Sequence, residues 1–578
     1  MRTAHSVAVG IIAGGALLAS TLSAGASPTT PATASARGVQ TGAEEFVVSF
    51  EGADRAAALQ AVTAAGGSVV DVNEAAGIAL VEAADDSFLT EVRADDAVTG
   101  AAANHAVGTA RPGMPHRFAE ERPTAADRTA VANNQDAGGR RPGGGGGRNT
   151  EPLADRQWDM AAIGANPDGA WRRATGRGVT VGIIDTGVDA SHPDIAPNFS
   201  ASLSRNFTMD IPEIDGPCEV ATCIDPANVD DGGHGTHVAG TVAAARNGVG
   251  IAGVAPDATI VNVRAGQDSG YFFVYETVAA LTYAGDAGLD VVNMSFYTDP
   301  WLYNCDSRDD YVSGAVTDEE LAQQAFIRQT VIAGLEYAHE RGVTLVAAAG
   351  NGHTDLATPT RFDATSPDYG APPAERTVTD DCLDLPSEGP HVLSVSAIGP
   401  SGAKADYSNY GLPDVEISAP GGWFRDGFGT DTYRIPSNLI LSSYPLHVAI
   451  EEGLADANGQ PTDDFSVSSC DSRGRNCGFY TYLQGTSMAS PHVAGVAALV
   501  VEAHGQGNRS RGFSLDPDVV GQILLSTAAD HACPVGGFED YTQEGRPATW
   551  NAACQGSTAL NGLYGEGVVD ATAAVARR

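Results

Sequence analysis

The stretch Val179-Thr180-Val181-Gly182-Ile183-Ile184 runs without a charged residue into Asp185-Thr186-Gly187. A nearly continuous apolar run of this length suits a strand covered on both faces, as in a parallel sheet, and not one with a wet face. The pattern repeats outward from it. Residues 259–263, 289–294, 343–348, 392–397 and 415–418 read as further strands, with helices over 271–285 and 319–341 between them. Strand and helix in alternation predict an α/β fold built on a mostly parallel sheet flanked by helices. Ligands of such folds bind beyond the carboxyl ends of the strands. Asp185 and Asn351 each follow a predicted strand end.

Upstream, the chain divides into four further parts. Arg2 and His5 precede an apolar run over 7–19, and Ala24-Gly25-Ala26 supplies small residues for cleavage, so 1–26 reads as a signal peptide. The run is shorter than the roughly 20 residues of a spanning helix, which argues against an anchor. Residues 27–44, rich in Ala, Thr, Ser and Pro, read as a disordered lead-in. Over 45–106 the order strand, helix, strand, strand, helix, strand predicts a small α+β ferredoxin-like domain. Residues 107–156, with an unbroken glycine run from Gly143 to Gly147 flanked by arginines, predict a flexible, protease-accessible linker. The predicted catalytic domain is 157–578.

A chain of 578 residues with 43% hydrophobic content and 69 glycines has material for more than one folded unit. Its formal net charge of -39 argues against nucleic acid or an anionic membrane as the partner. All eight cysteines, Cys218, Cys223, Cys305, Cys382, Cys470, Cys477, Cys533 and Cys554, follow the predicted linker. An even count behind a signal peptide points to disulfides, with sequential neighbours the simplest pairing, and to a secreted, extracellular protein. No paired CxxC spacing favours zinc.

Three short segments carry chemistry: Asp185-Thr186-Gly187, His234-Gly235-Thr236-His237 and Gly485-Thr486-Ser487-Met488-Ala489. A serine hydroxyl needs a base to take its proton during attack, and His titrates near neutrality. An Asp beside that His fixes its tautomer and stabilises the imidazolium. Val493, Val496, Ala497 and Val500 recur at helical spacing, which puts Ser487 at a helix start, where backbone N–H groups and a partial positive charge gather. Each residue also has an ordinary reading. Asp185 could cap a helix, Ser487 could be an N-cap and Asn351 could accept a left-handed turn. His234 and His237 could bind metal, but no third ligand and no HExxH glutamate is present, and the second glycine of a GxSxG elbow is missing.

Taken together, the segments resemble the three signatures of the subtilisin-like serine proteases, in that family's order Asp, His, Ser, over roughly 157–578. The resemblance implies a serine endopeptidase acting on protein or peptide substrates, with Asp185, His234 and Ser487 as the charge-relay set and Asn351 stabilising the oxyanion. It further implies an edge strand at Ser269, Gly270 and Tyr271, and pocket walls at Ser295, Phe296 and Tyr297 and at Ala348, Ala349 and Gly350. The 45–106 segment is similar to the inhibitory propeptides of these enzymes, which implies a zymogen that processes itself and an intramolecular inhibitor. The expected product is a monomer free of the membrane. Two features depart from the family. Tyr297 and Thr298 stand where glycines are usual, which predicts a constrained pocket. The loop with Asp210, Glu213, Asp215, Glu219 and Asp225 is long and acidic. The chemistry requires no cofactor, and many members hold structural calcium. The loop fits either that or plain solvation, so no metal ligands are assigned. A catalytically dead binding protein and a hydrolase of esters or lactams are the rival readings. The four intact residues oppose the first, and the propeptide-like segment opposes the second.

Overall fold

The computed structural model describes residues 44–84, 87–104, 121, 122, 124, 127, 128, 151–368, 372–508 and 512–576. The predicted signal peptide, the lead-in up to residue 43 and the glycine run lie outside the described residues.

The first sheet holds β1 (Glu44–Ser49), β2 (Ser68–Asn73), β3 (Ile78–Ala83) and β4 (Gly100–Ala103), in the order β2-β3-β1-β4 and antiparallel throughout. Helices α1 (Arg55–Ala64) and α2 (Ser87–Val92) lie between β1 and β2 and between β3 and β4. Side chains of a strand alternate between faces. Phe46 and Val48 of β1 accordingly pack with Val62 and Phe88 of the two helices. Val47 between them, with Ile78, Leu80 and Ala102, joins a cluster that includes Val278, Leu281 and Phe326 from farther along the chain.

Those partners belong to the large α/β body. Its seven strands are β5 (Thr180–Ile184), β6 (Arg205–Asn206), β7 (Thr259–Arg264), β8 (Val291–Met294), β9 (Thr344–Ala348), β10 (Val392–Ile398) and β11 (Ile417–Pro420). They pair in parallel in the order β11-β10-β9-β8-β5-β7-β6. The central β8 and β5 are buried along almost their whole length, and neither carries a charged residue. Four helices position the site: α3 (His234–Ala243), α4 (Val274–Ala287), α5 (Asp318–Glu340) and α6 (Thr486–His504). A Thr317/Glu320 capping box starts α5. Asn104, just past β4, does the same for α4 from outside the helix. Its Oδ1 accepts from Tyr275 N at 3.0 Å, and its Nδ2 reaches the Glu276 carboxylate at 3.1 and 3.3 Å.

A second, antiparallel sheet of Ile440–Tyr444, Gly478–Leu483 and Ser466–Ser469 stands beside α3. Nothing in its sequence had marked it. Four disulfides join the cysteines in chain order, Cys218–Cys223, Cys305–Cys382, Cys470–Cys477 and Cys533–Cys554. Among the described residues no helix is long and apolar enough to cross a membrane. The stretch expected as linker is packed at some of its described residues. Glu151 and Leu153 are buried, and Leu153 N donates to Gly250 O at 2.8 Å, so the large body begins before residue 157.

Candidate active site

Asp185 is the first residue past β5, and Asn351 follows β9 by three positions. His234 opens α3, and Ser487 is the second residue of α6. The sheet thus carries the acid and the amide on its carboxyl edge, while two helix N-termini bring the base and the hydroxyl.

Asp185 is fully buried, and its Oδ1 accepts from His234 Nδ1 at 2.8 Å and from Thr186 N at 2.8 Å. Burial pushes the Asp185 carboxyl up, against the pull of His234. Gly235 lets α3 come this close, since a Cβ there would stand 2.1 Å from Gly187 O. The start of α3 is tied down by a residue that sequence reading passed over. Asp230 Oδ1 accepts from Thr186 Oγ1 at 2.9 Å and Gly233 N at 2.8 Å, while its Oδ2 accepts from Thr236 N at 2.9 Å and Thr236 Oγ1 at 2.5 Å. An Asp three residues ahead of a Gly-led helix is the one signal that could have found it. His237 faces away from this chemistry. Its Nε2 meets Ile440 O at 3.2 Å and Thr481 O at 3.1 Å, and burial drives its pKa down to about 3.

Proline at position 491, inside α6, has no N–H to give the carbonyl four residues back, which is that of Ser487. Ser295 Oγ donates to that carbonyl instead, at 3.2 Å, and it also lies 2.9 Å from Ser490 Oγ. The same Ser295 lines a cavity of about 180 Å³ that opens at Ser487 and Asn351. Phe296, Tyr297, Ala348 and Gly350, which the family resemblance implies as pocket walls, line it too, and so does Gly270. The remaining predicted binding residues do not. Ala349 is buried with Leu356 and Val415. The predicted edge strand at 269–271 is instead the tip of a tight turn, with Gly270 N donating to Gln267 O at 2.9 Å and Gln267 N to Tyr271 O at 2.9 Å. Ser269 Oγ is turned to Asp215 at 2.7 Å, and the Tyr271 ring stacks on Phe273. Tyr297 lies in the wall, its hydroxyl donating to Asp368 Oδ2 at 2.7 Å.

The feature that sequence reading missed altogether is Glu121. Its carboxylate is buried among the four residues above. Oε1 accepts from Ser487 Oγ at 2.5 Å and from Asn351 Nδ2 at 3.0 Å, and Oε2 meets His234 Nε2 at 3.0 Å. Asn351 is aimed from the other side, its Oδ1 accepting from Thr486 N and Thr486 Oγ1, each at 2.9 Å. Burial alone would lower the His234 pKa, but Asp185 and Glu121 together hold it up, to about 10. The backbone of the segment is held as well, Gln484 N donating to Glu121 O at 3.0 Å. Next to it Arg122 pairs with Glu452 at 2.5 Å and donates to Tyr444 Oη at 2.7 Å, and Arg128 pairs with Asp463. A glycine at 485 makes room, since a Cβ there would lie 2.7 Å from Glu121 Oε1.

The acidic loop folds around a cation of the chain's own. Arg264, fully buried, pairs with Asp225 at 2.7 Å, Asp268 at 2.8 Å and Asp210 at 3.4 Å. Asp210, Asp225 and Asp268, with Glu219, also bring one oxygen each within 4.8 Å of one another, and we assign no metal to them.

Residues 176–567 match the subtilase family of peptidases. Fervidolysin of Fervidobacterium pennivorans is 28% identical over 366 residues, which is 61% of this chain and 38% of fervidolysin's length. Thermitase of Thermoactinomyces vulgaris is 28% identical over 353 residues, 61% of this chain and 84% of thermitase. Among solved structures, the epidermin leader peptide processing serine protease of Staphylococcus aureus shares the fold with a TM-score of 0.57 at 20% identity, covering 93% of this chain and 98% of its own.

Proposed function

The chain belongs to the subtilase family of serine endopeptidases, and from that premise we propose that it is a secreted enzyme made as a self-processing zymogen, hydrolysing peptide bonds through an acyl-enzyme on Ser487. The observation that carries the proposal is the single carboxylate of Glu121 held by Ser487, His234 and Asn351 together. One oxygen of that carboxylate marks a point within reach of both a nucleophile and an amide donor, which is what a reacting carbonyl needs.

In this reading Ser487 Oγ attacks the substrate carbonyl as His234 Nε2 takes its proton. Asp185 holds the His234 Nδ1–H and stabilises the imidazolium. Asn351 Nδ2 and the Ser487 N–H share the negative oxygen, and each such donor is worth about 3 kcal/mol of barrier. His234 then gives its proton to the leaving amine, and water repeats the sequence on the ester. None of this can start while Glu121 occupies the hydroxyl and the imidazole. The 44–104 sheet and Glu121 therefore act as parts of the inhibitory propeptide, the first docked on α4 and α5 and the second closing the site. The disulfides suit an exported protein.

The test is to express Ser487→Ala beside the native chain and to measure mass and labelling by a fluorophosphonate. Normal shortening of purified Ser487→Ala would reject self-processing. Undiminished labelling of that variant would reject Ser487 as the nucleophile.

A further inference from the structure

We propose that His339, His391 and Asp518 together bind one zinc ion, at the edge of the large sheet opposite the catalytic residues.

Three separate parts of the chain supply the ligands. His339 lies in the last turn of α5, His391 is the residue before β10, and Asp518 is in the first turn of α7 (Pro517–Thr527). His339 Nε2 lies 3.0 Å from Asp518 Oδ1. The His391 ring is stacked on that of His339, with centroids 3.8 Å apart and planes 9° from parallel. One ligand atom from each of the three lies within 4.8 Å of the others. Ligands of a tetrahedral zinc, at bonds of about 2.0–2.1 Å, stand roughly 3.3 Å from one another. The pair of His339 and Asp518 is already near that spacing. His391 then has at most about 1.5 Å to close, which a turn of its exposed ring supplies.

Two further observations set the trio apart from an ordinary surface ion pair. The first is the backbone of His391, whose φ of 63° lies in the left-handed region that side chains other than glycine seldom adopt. The imidazole thus stands where a turn would more readily place glycine or asparagine. The second is that the Asp518 carboxylate is not spent on its own helix. Asp516 caps α7, its Oδ1 accepting from Asp518 N at 3.0 Å, while the Asp518 side chain is turned to His339. An exposed ion pair alone contributes little. Two imidazoles and a carboxylate are a zinc donor set, whereas calcium takes oxygen.

The position decides what the ion does. Thr344 and Val392, which open β9 and β10, line the same groove as the three ligands. The ion therefore sits at the amino edge of the sheet and takes no part in hydrolysis at the carboxyl edge. It clasps α5, β10 and α7 instead. Its outermost ligands are 179 positions apart, so binding closes a long loop that the unfolded chain leaves open. Three protein ligands leave the fourth position to water.

The experiment uses the whole chain carrying Ser487→Ala, which prevents self-digestion, after dialysis against a chelator. Zinc is titrated by calorimetry, and cobalt(II) by the visible absorption of a tetrahedral site. We expect one equivalent of zinc with a Kd tighter than about 10 µM, undisturbed by excess calcium. The melting midpoint should rise by about 3 °C at a hundredfold excess of zinc over Kd. His391→Asn and His339→Gln should each weaken binding at least about 100-fold. Asparagine tolerates the left-handed backbone at 391, so the first variant keeps its fold. Binding weaker than about 10 µM, zinc that calcium displaces, or zinc that either variant retains overturns the proposal. Should a variant fold poorly, the parent still decides the matter, since a cobalt spectrum like that of the free aqueous ion overturns it too.

Discussion

The Glu121 carboxylate sits 2.5 Å from the Ser487 hydroxyl, although 366 residues separate the two in sequence. It also meets the Nε2 of His234, and Asp185 and Glu121 together raise that imidazole to about 10. A pKa raised by partners is stability that is complete below the unpaired value, near 6.5, and lost as the pH climbs through about 10. The closed form should therefore hold firmest at the lower end of that window and loosen toward its alkaline end. Imidazole titration by NMR in precursor carrying Ser487→Ala will show it as a His234 that stays protonated above pH 8. Glu121→Gln should lower that midpoint and speed activation about tenfold. An unchanged midpoint would mean that Glu121 does not hold His234 in solution.

Ser487→Ala should abolish turnover and leave the precursor at full length. Asn351→Ala should keep processing possible but slow, with kcat lower by about 10²–10³. Steady-state kinetics separate the two, since loss of an oxyanion donor falls on kcat and not on KM.

Asp230→Ala removes the acceptor of four hydrogen bonds around the start of α3. We expect a loss of about 3 kcal/mol in stability, read as a shift of the urea midpoint on the Ser487→Ala background. In the active chain kcat should drop as well, because His234 is the first residue of that helix. A stable Asp230→Ala with normal kcat would show that the helix start is held by other means.

The disulfide Cys305–Cys382 spans 77 residues, the longest loop of the four. On a chain-entropy account its removal should cost about 4 kcal/mol, more than removal of Cys218–Cys223 or Cys470–Cys477. Thermal scans of the paired Cys→Ser variants test that order directly.

The legible part of this molecule is the part written locally. The apolar run 179–184 delivers Asp185 at a strand end, and the periodic apolar residues after Ser487 put that serine at a helix start, so both were readable from a dozen residues. Helix α5, with its capping box, was found to within a residue at each end. The tight turn at 267–271 was not, because its residues suit a strand as well as a turn and only packing decides. Glu121 was beyond reach for a different reason. It lies in a stretch whose composition suggests no fold, and its role arises from groups more than a hundred residues away.

The bond from Ser295 Oγ to the Ser487 carbonyl has a practical consequence for anyone redesigning this protein. The wall of the recognition cavity and the backbone of the nucleophile share a fastener, so a library that varies position 295 to retune selectivity will also detune the catalyst. Selectivity is better engineered from Tyr297, which lines the same cavity and is fastened elsewhere, by its hydroxyl to Asp368.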